Sequence, residues 1–105
     1  MQELEPLVTA DEKGLVESFS PEAVELFGWS PEEVVGRKRL SAFHRKQDLA
    51  ELLPRMMGTA QEKGVFQEEV IMRRKDGSEF RAKLTVMSLR EGGGMVGYGV
   101  HAVEV

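Results

Sequence analysis

The side chains that could do chemistry in this sequence are few, and they do not form a catalytic set. The chain has two histidines, His44 and His101, and no cysteine. Without cysteine there is no thiolate nucleophile, and two distant histidines do not make a metal-ligand set. Glu68 and Glu69 are neighbours on a predicted strand, so their carboxylates point to opposite faces and cannot act as an acid–base pair. We therefore predict that the chain is not an enzyme.

A second group of side chains could hold a small apolar ligand. Methionine is flexible and polarisable, so it can line an adjustable pocket, although it fills an ordinary core equally well. Tyr98 carries a hydroxyl that could bind a ligand or be satisfied locally. The sequence leaves both alternatives open. The candidate pocket lining consists of residues that the patterns below turn towards the interior, namely Met56, Met57, Met72, Leu84, Val86 and Tyr98.

Composition sets the class of protein. The chain has 105 residues and 41% of them are hydrophobic, so we expect a single domain over residues 1–105. Fourteen Lys and Arg against 18 Asp and Glu give a net charge of −4, which argues against nucleic acid as a partner. No apolar run approaches the roughly 20 residues of a membrane span, and the acidic start lacks a secretory layout. With the absence of cysteine, this predicts a cytoplasmic protein without membrane contact.

Strands are predicted in two groups. Short apolar runs at 7–9 and 15–19 are joined by a tight turn at 11–14. The last third alternates between apolar and polar residues, with an Asp-Gly hairpin turn and a glycine triplet as its reversals. It comprises strands at 65–74, from Phe80 onwards and at 95–105, separated by turns at 75–78 and 92–94. In the final strand one face is predicted to carry Val96, Tyr98, Val100 and Ala102.

Two short helices are predicted between these groups. Ser20 can cap the first, which Gly28 ends. Ser30 and Glu33 have the spacing of a capping box and begin the second, which ends at Gly36.

A longer helix is predicted at 48–63. Asp48 and Glu51 again have capping-box spacing, and Gly64 ends the segment. Pro54 lies inside the pattern and should kink or divide the helix, because it lacks a backbone donor. One apolar face carries Leu49, Leu52, Leu53, Met56, Met57 and Ala60. The order β-β-α-α-α-β-β-β then predicts an α+β fold, an antiparallel five-stranded sheet with its helices on one face.

This order, with these turns, resembles a PAS domain from about Leu7 to Val103. The resemblance rests on the joint order of several motifs: Asp11 to Gly14, Ser20-Pro21-Glu22-Ala23, Phe27-Gly28-Trp29, Gly36-Arg37, His44 to Asp48, and Arg74-Lys75-Asp76-Gly77-Ser78. The chain departs from the family at its end, where Ala102-Val103-Glu104 stands in place of the usual Asp-Ile-Thr.

The resemblance implies a sensory or regulatory input module of a bacterial-type signal-transduction protein, such as a histidine kinase, cyclase or transcription regulator. It implies a pocket between sheet and helices for a small apolar ligand, and an output domain or partner protein outside this chain. Flavin–cysteine adducts and thioester chromophores are excluded by the absence of cysteine, and no tightly bound cofactor is expected. His44 falls where some PAS domains bind haem, so a haem sensor is a further, weaker reading.

The alternative is a ligand-free module for protein interaction and dimerisation. Gly97 and Gly99 alternate along the last predicted strand, where they leave room for a ligand if they face inwards and a flat docking surface if they face outwards. Leu4 and Leu7 form an apolar leader that could pair two subunits. For the isolated chain we expect a homodimer.

Overall fold

A computed structural model describes residues 5–105, so Leu4 lies outside the described residues. The order of elements is that predicted, with two 3-10 turns, Leu40–Phe43 and Lys46–Asp48, before the longest helix. The strands are β1 (Val8–Asp11), β2 (Val16–Phe19), β3 (Val65–Arg73), β4 (Glu79–Glu91) and β5 (Gly94–Glu104). The helices are α1 (Pro21–Phe27), α2 (Pro31–Val34) and α3 (Leu52–Lys63).

The five strands form one sheet in the order β2-β1-β5-β4-β3, and each neighbouring pair is antiparallel. The predicted fold class is therefore confirmed. The register opposes Phe66 to Val86 and Val86 to Val100, so apolar side chains of three strands share the inner face. That face and the apolar sides of the helices make one core.

Local capping signals shape the helical layer as predicted. The Ser20 hydroxyl accepts a hydrogen bond from the Ala23 amide at the start of α1. The Glu33 carboxylate accepts one from the Ser30 amide at the start of α2. Gly28 and Gly64 end α1 and α3 in the left-handed conformation.

The predicted start of α3 was wrong. Asp48 belongs to a 3-10 turn, where its carboxylate binds the Arg45 guanidinium, and α3 begins only at Leu52. Pro54 is consequently the third residue of α3. The first turn of a helix has no intrahelical acceptors for its amides, so proline costs nothing there and no kink or division follows.

Val96 was also misplaced, because its side chain is 45% exposed rather than part of the core. The register opposes Leu89 to Gly97 and Arg90 to Met95, which leaves Val96 as the extra residue of a bulge. A bulge shifts by one residue the alternation of side chains between the two faces of the sheet. No local sequence pattern predicts its position.

Candidate functional site

Five of the six predicted pocket residues lie deep in the interior between α3 and the sheet. Met56 of α3 and Met72 of β3 are each 1% exposed, and Leu84, Val86 and Tyr98 are fully buried. Met57 is half-buried and packs against the same core. The structure thus brings the predicted residues into one contiguous layer, which α3 covers from one side and the central strands from the other.

The Tyr98 hydroxyl is satisfied within the protein. Its oxygen accepts a hydrogen bond of 2.6 Å from Nε2 of Gln61, near the end of α3. The guanidinium of Arg90 on β4 binds the Gln61 carbonyl at 2.9 Å. Gln61 therefore joins the helix to two central strands. Sequence reasoning missed it, because its partner is 37 residues away and no local pattern marks an exposed glutamine.

Aromatic rings fill the part of the interior next to α1. Phe27 lies 4.7 Å from Phe43 and 6.0 Å from Phe80, measured between ring centroids, and Phe19 stacks on Phe43 at 5.7 Å. These rings come from four separate elements. Offset and tilted contacts of this kind add to the stabilisation that burial alone provides.

His44 is buried beside this cluster, with 3% of its surface exposed. Its Nδ1 atom has no hydrogen-bond partner among residues 5–105, and the backbone at His44 bridges to Met72 of β3. Burial lowers the pKa of its imidazole to about 4, against an opposing effect of Asp48, so the ring is neutral at pH 7.

The residues around His44 do not fit a haem. An axial ligand needs an open space beside its ring nitrogen, whereas His44 is 3% exposed and its backbone is bridged to Met72. Two concavities on the surface of residues 5–105 are lined by neither His44 nor any phenylalanine.

Trp29, the other aromatic residue with a polar group, is partly buried against the core, and its Nε1 atom has no hydrogen-bond partner among residues 5–105. The Lys38 and Lys75 ammonium groups lie 5.2 and 5.7 Å from its ring centroid. Lys75 also pairs with Glu33 and, with a hydrogen bond from the Ser30 amide, lowers the Glu33 pKa to about 2. The Trp29 ring thus helps to hold the hairpin between β3 and β4 against the loops around α2.

Two concavities stand out on the surface of residues 5–105. One, of about 360 Å³, lies between β3 and the start of α3 and is mostly lined by charged residues. The other is a shallow depression of about 420 Å³ between the β1–β2 turn and Met95. None of the six predicted pocket residues lines either of them.

Metal centres and membrane-spanning helices have recognisable features, and residues 5–105 show neither. No three or more histidine, aspartate or glutamate side chains are grouped so that they could hold a metal ion. None of the described helices has the length and apolarity that a membrane crossing requires.

A family profile described as the PAS fold matches residues 5–102. Among solved structures, the PAS domain of a protein from Colwellia psychrerythraea is 21% identical, with a TM-score of 0.86 over 94% of this chain and 83% of that one. A LuxR-family transcriptional regulator from Burkholderia thailandensis, whose PAS domain was solved with ethanol, is 17% identical, with a TM-score of 0.76 over 95% and 88%.

The PAS-B domain of Drosophila melanogaster Cycle, solved with ethylene glycol, is 13% identical, with a TM-score of 0.78 over 93% of this chain and 97% of that one. At these identities the structural likeness shows the fold alone.

Proposed function

Because the chain belongs to the PAS family, whose members are sensory or regulatory modules, we propose that it is an input module of a bacterial-type signalling protein that senses a small apolar ligand in its interior. The signal-carrying protein is a histidine kinase, a cyclase or a transcription regulator. The ligand lies between α3 and the sheet, and its binding changes how the helix packs on the strands.

One observation carries this proposal: the layer between α3 and the sheet contains two fully buried methionines, Met56 and Met72. An unbranched thioether side chain can change rotamer at low cost, so it can move aside for a small guest. Met57 adds a third, half-buried methionine, and its methyl group lies against Gly14 of the β1–β2 turn. Helix α3 therefore contacts both the sheet and that turn through adjustable side chains.

Two polar side chains of the interior suggest the chemistry of the ligand. His44 has an unpartnered Nδ1, and Tyr98 already has Gln61 as a partner. A small, mainly apolar molecule with one hydroxyl could place that group at the histidine nitrogen if the flexible side chain of Met72, whose backbone bridges to His44, moves aside. Ethanol, which is present in one neighbouring PAS structure, has a single hydroxyl on a short apolar chain, and this supports the choice of class.

The proposal is tested by titrating the protein with a series of short primary alcohols while the methionine methyl resonances are followed by NMR. We expect saturable shifts of the Met56 and Met72 methyl signals, strongest for one chain length. Met95 is the control, because it lies at the edge of the core near the β1–β2 turn. Equal, non-saturating changes at all three methionines would contradict an interior site.

The second candidate is a ligand-free dimerisation module, which the outer face of the sheet supports. Val65 and Val103 lie on the face away from the helices and are 46% and 51% exposed. Gly99 on the same strand is buried, and Pro6 and Leu89 lie nearest to the position that its Cβ atom would take. Light scattering decides this candidate: a dimer that Val103→Glu dissociates would support it, and a strict monomer at high concentration would remove it.

A further inference from the structure

Strand β3 leaves one of its sides largely free. It lies at the end of the sheet and pairs with β4 along its whole length. On the other side, among residues 5–105, the only strand-like contact is an isolated bridge between Met72 and His44. An edge strand presents unpaired backbone groups that can pair with another extended chain.

The direction of those groups follows from the register. The Arg74 amide donates to Ser78, and the Ser88 amide donates to the Gly64 carbonyl. Backbone groups alternate in direction along a strand, so the even-numbered residues between these points bond to β4. Gln67 and Glu69 therefore direct their amides and carbonyls to the free side, where no other described element bonds to them.

The 360 Å³ concavity runs beside this free edge. Its opposite wall comes from the second 3-10 turn and the start of α3, with Asp48, Glu51 and Arg55 among its residues. Leu52 and Val70 are its least exposed lining residues, each 8% exposed. Free backbone groups and an adjoining groove with two buried apolar side chains are two separate features that meet at one place.

The groove is lined by three arginines and four carboxylates, so negative charges outnumber positive ones. Its three arginines each have a carboxylate partner: Arg45 binds Asp48 at 2.9 Å, Arg55 binds Glu68 at 2.6 Å and Arg81 lies 3.8 Å from Glu69. Glu51 is the fourth carboxylate, and no ion pair to it is present in residues 5–105. The groove therefore has a surplus negative charge beside its apolar residues.

We propose that this groove binds an extended segment of a partner protein, which adds to β3 as a sixth strand. Its backbone pairs with Gln67 and Glu69, an apolar side chain covers Leu52 and Val70, and a lysine or arginine faces Glu51. Strand addition obtains affinity from main-chain hydrogen bonds and specificity from alternate side chains. This surface is separate from the interior ligand site, and neither proposal depends on the other.

A second copy of this chain fits the groove less well than a peptide does. The two-fold axis that pairs two antiparallel β3 edges leaves both helical layers on the same face of the joined sheet. The two walls formed by the 3-10 turn and α3 would then meet at the interface. A single extended segment needs only the width of one strand, about 5 Å.

The test selects binders from a random peptide library displayed on phage and measures the best peptides by fluorescence anisotropy. We expect sequences that alternate apolar residues and contain lysine or arginine. Gln67→Pro removes the outward amide, which the fold does not use, and should weaken binding at least about tenfold. Gln67→Ala is the matched control, because it removes the side chain but keeps the amide, and should bind as the parent does.

A charge exchange provides an independent readout. Glu51→Lys should weaken the basic peptides about tenfold, and peptides with the basic residue replaced by glutamate should regain affinity for that variant. Bound peptide should also slow amide hydrogen exchange at Gln67 and Glu69 in the unmodified protein, which remains measurable if the proline variant does not fold.

Three results would overturn the proposal. One is equal binding to the Pro and Ala variants of Gln67. Another is a selection that enriches no peptide, or only peptides that leave exchange at Gln67 and Glu69 unchanged. The third is self-association of the chain that Gln67→Pro abolishes, which would assign the edge to a second copy.

Discussion

The two edge strands of the sheet, β2 and β3, differ in how far their free backbone groups are covered. The β2 edge is covered by backbone from residues 36–40: the Val16 amide donates to Lys38, and Gly36 donates to Val16. A further bridge joins Leu15 to Arg39. Within residues 5–105 the β3 edge has only the bridge at His44, and its residues 68–71 line the groove.

This difference follows from how the chain leaves its short helices. The segment after α2 returns along β2 and uses that strand's free backbone groups before it enters the first 3-10 turn. It reaches β3 only at His44, because α3 then crosses the sheet. Glu68 on the inner face of β3 protects the open edge, since a charge next to a free strand discourages indiscriminate pairing. One edge is thus closed by the fold itself, and the other remains available to a selective partner.

The largest effect is expected where β1 pairs with β5, because this pairing joins β1 and β2 to the rest of the sheet. A Cβ atom at Gly97 would lie 2.1 Å from the Ala10 carbonyl oxygen, so Gly97→Ala must separate β1 from β5. We expect the free energy of unfolding to fall by about 3 kcal/mol or more. Urea unfolding measures this.

Gly94→Ala on the same strand is the control for that substitution. Its added methyl group would meet only ordinary contact distances, so little change is expected. A Gly97→Ala variant as stable as Gly94→Ala would contradict the close approach of the two strands.

The next effect is a pH dependence at His44, whose backbone forms the isolated bridge to the β3 edge. The pKa of His44 is lowered from 6.5 to about 4 on folding, so the unfolded chain binds more protons between these values. Stability is full above pH 6.5 and declines as the pH falls towards 4, by about 3 kcal/mol in total. Urea unfolding across this range should show the decline.

Two histidine variants separate this effect from the titration of carboxylates. His44→Phe should flatten the dependence above pH 5, because it removes the buried imidazole, while His101→Gln should leave it in place. An unchanged slope in the His44 variant would show that another group is responsible.

A smaller effect is expected at the β1–β2 turn and the β3–β4 hairpin, where an aspartate carboxylate accepts hydrogen bonds from backbone amides. The Asp11 carboxylate accepts hydrogen bonds from the Lys13 and Leu15 amides, each 2.9 Å long. Asp76 accepts one from the Ser78 amide in an exposed hairpin. Asp11→Ala should cost about 2 kcal/mol of the free energy of unfolding, and Asp76→Ala clearly less. The reverse order in chemical unfolding would contradict this assignment.

The smallest effect tests the backbone that covers β2. Gly36 has a φ of +71° with open space around it, so Gly36→Ala should cost about 1 kcal/mol through backbone strain alone. Gly58→Ala in α3 is the control and should stabilise the protein by about 0.5–1 kcal/mol, since its space is also open and its φ is not positive. Thermal unfolding of the two variants should therefore shift in opposite directions.

The sequence alone determined the elements that local chemistry specifies. Ser20 and the Ser30–Glu33 pair set the two short helices, and Asp-Gly at residues 76–77 set a hairpin, because caps and turns depend on neighbours within a few residues. The alternation of apolar and polar residues along the strands also predicted that Met72, Leu84 and Tyr98 lie in the interior, where they are buried. The antiparallel five-stranded sheet with its helices on one face was predicted from the order of elements, and the structure added the strand order β2-β1-β5-β4-β3.

The tertiary structure decided what depends on residues far apart in the chain. The Gln61–Tyr98 bond, the unpartnered nitrogen of His44 and the bulge at Val96 each arise where separate elements meet, so no local pattern could reveal them. The contrast between the two edges has the same origin. Whether a strand's free side is covered depends on the path of the chain between helices, and that path is set by the packing of the whole core.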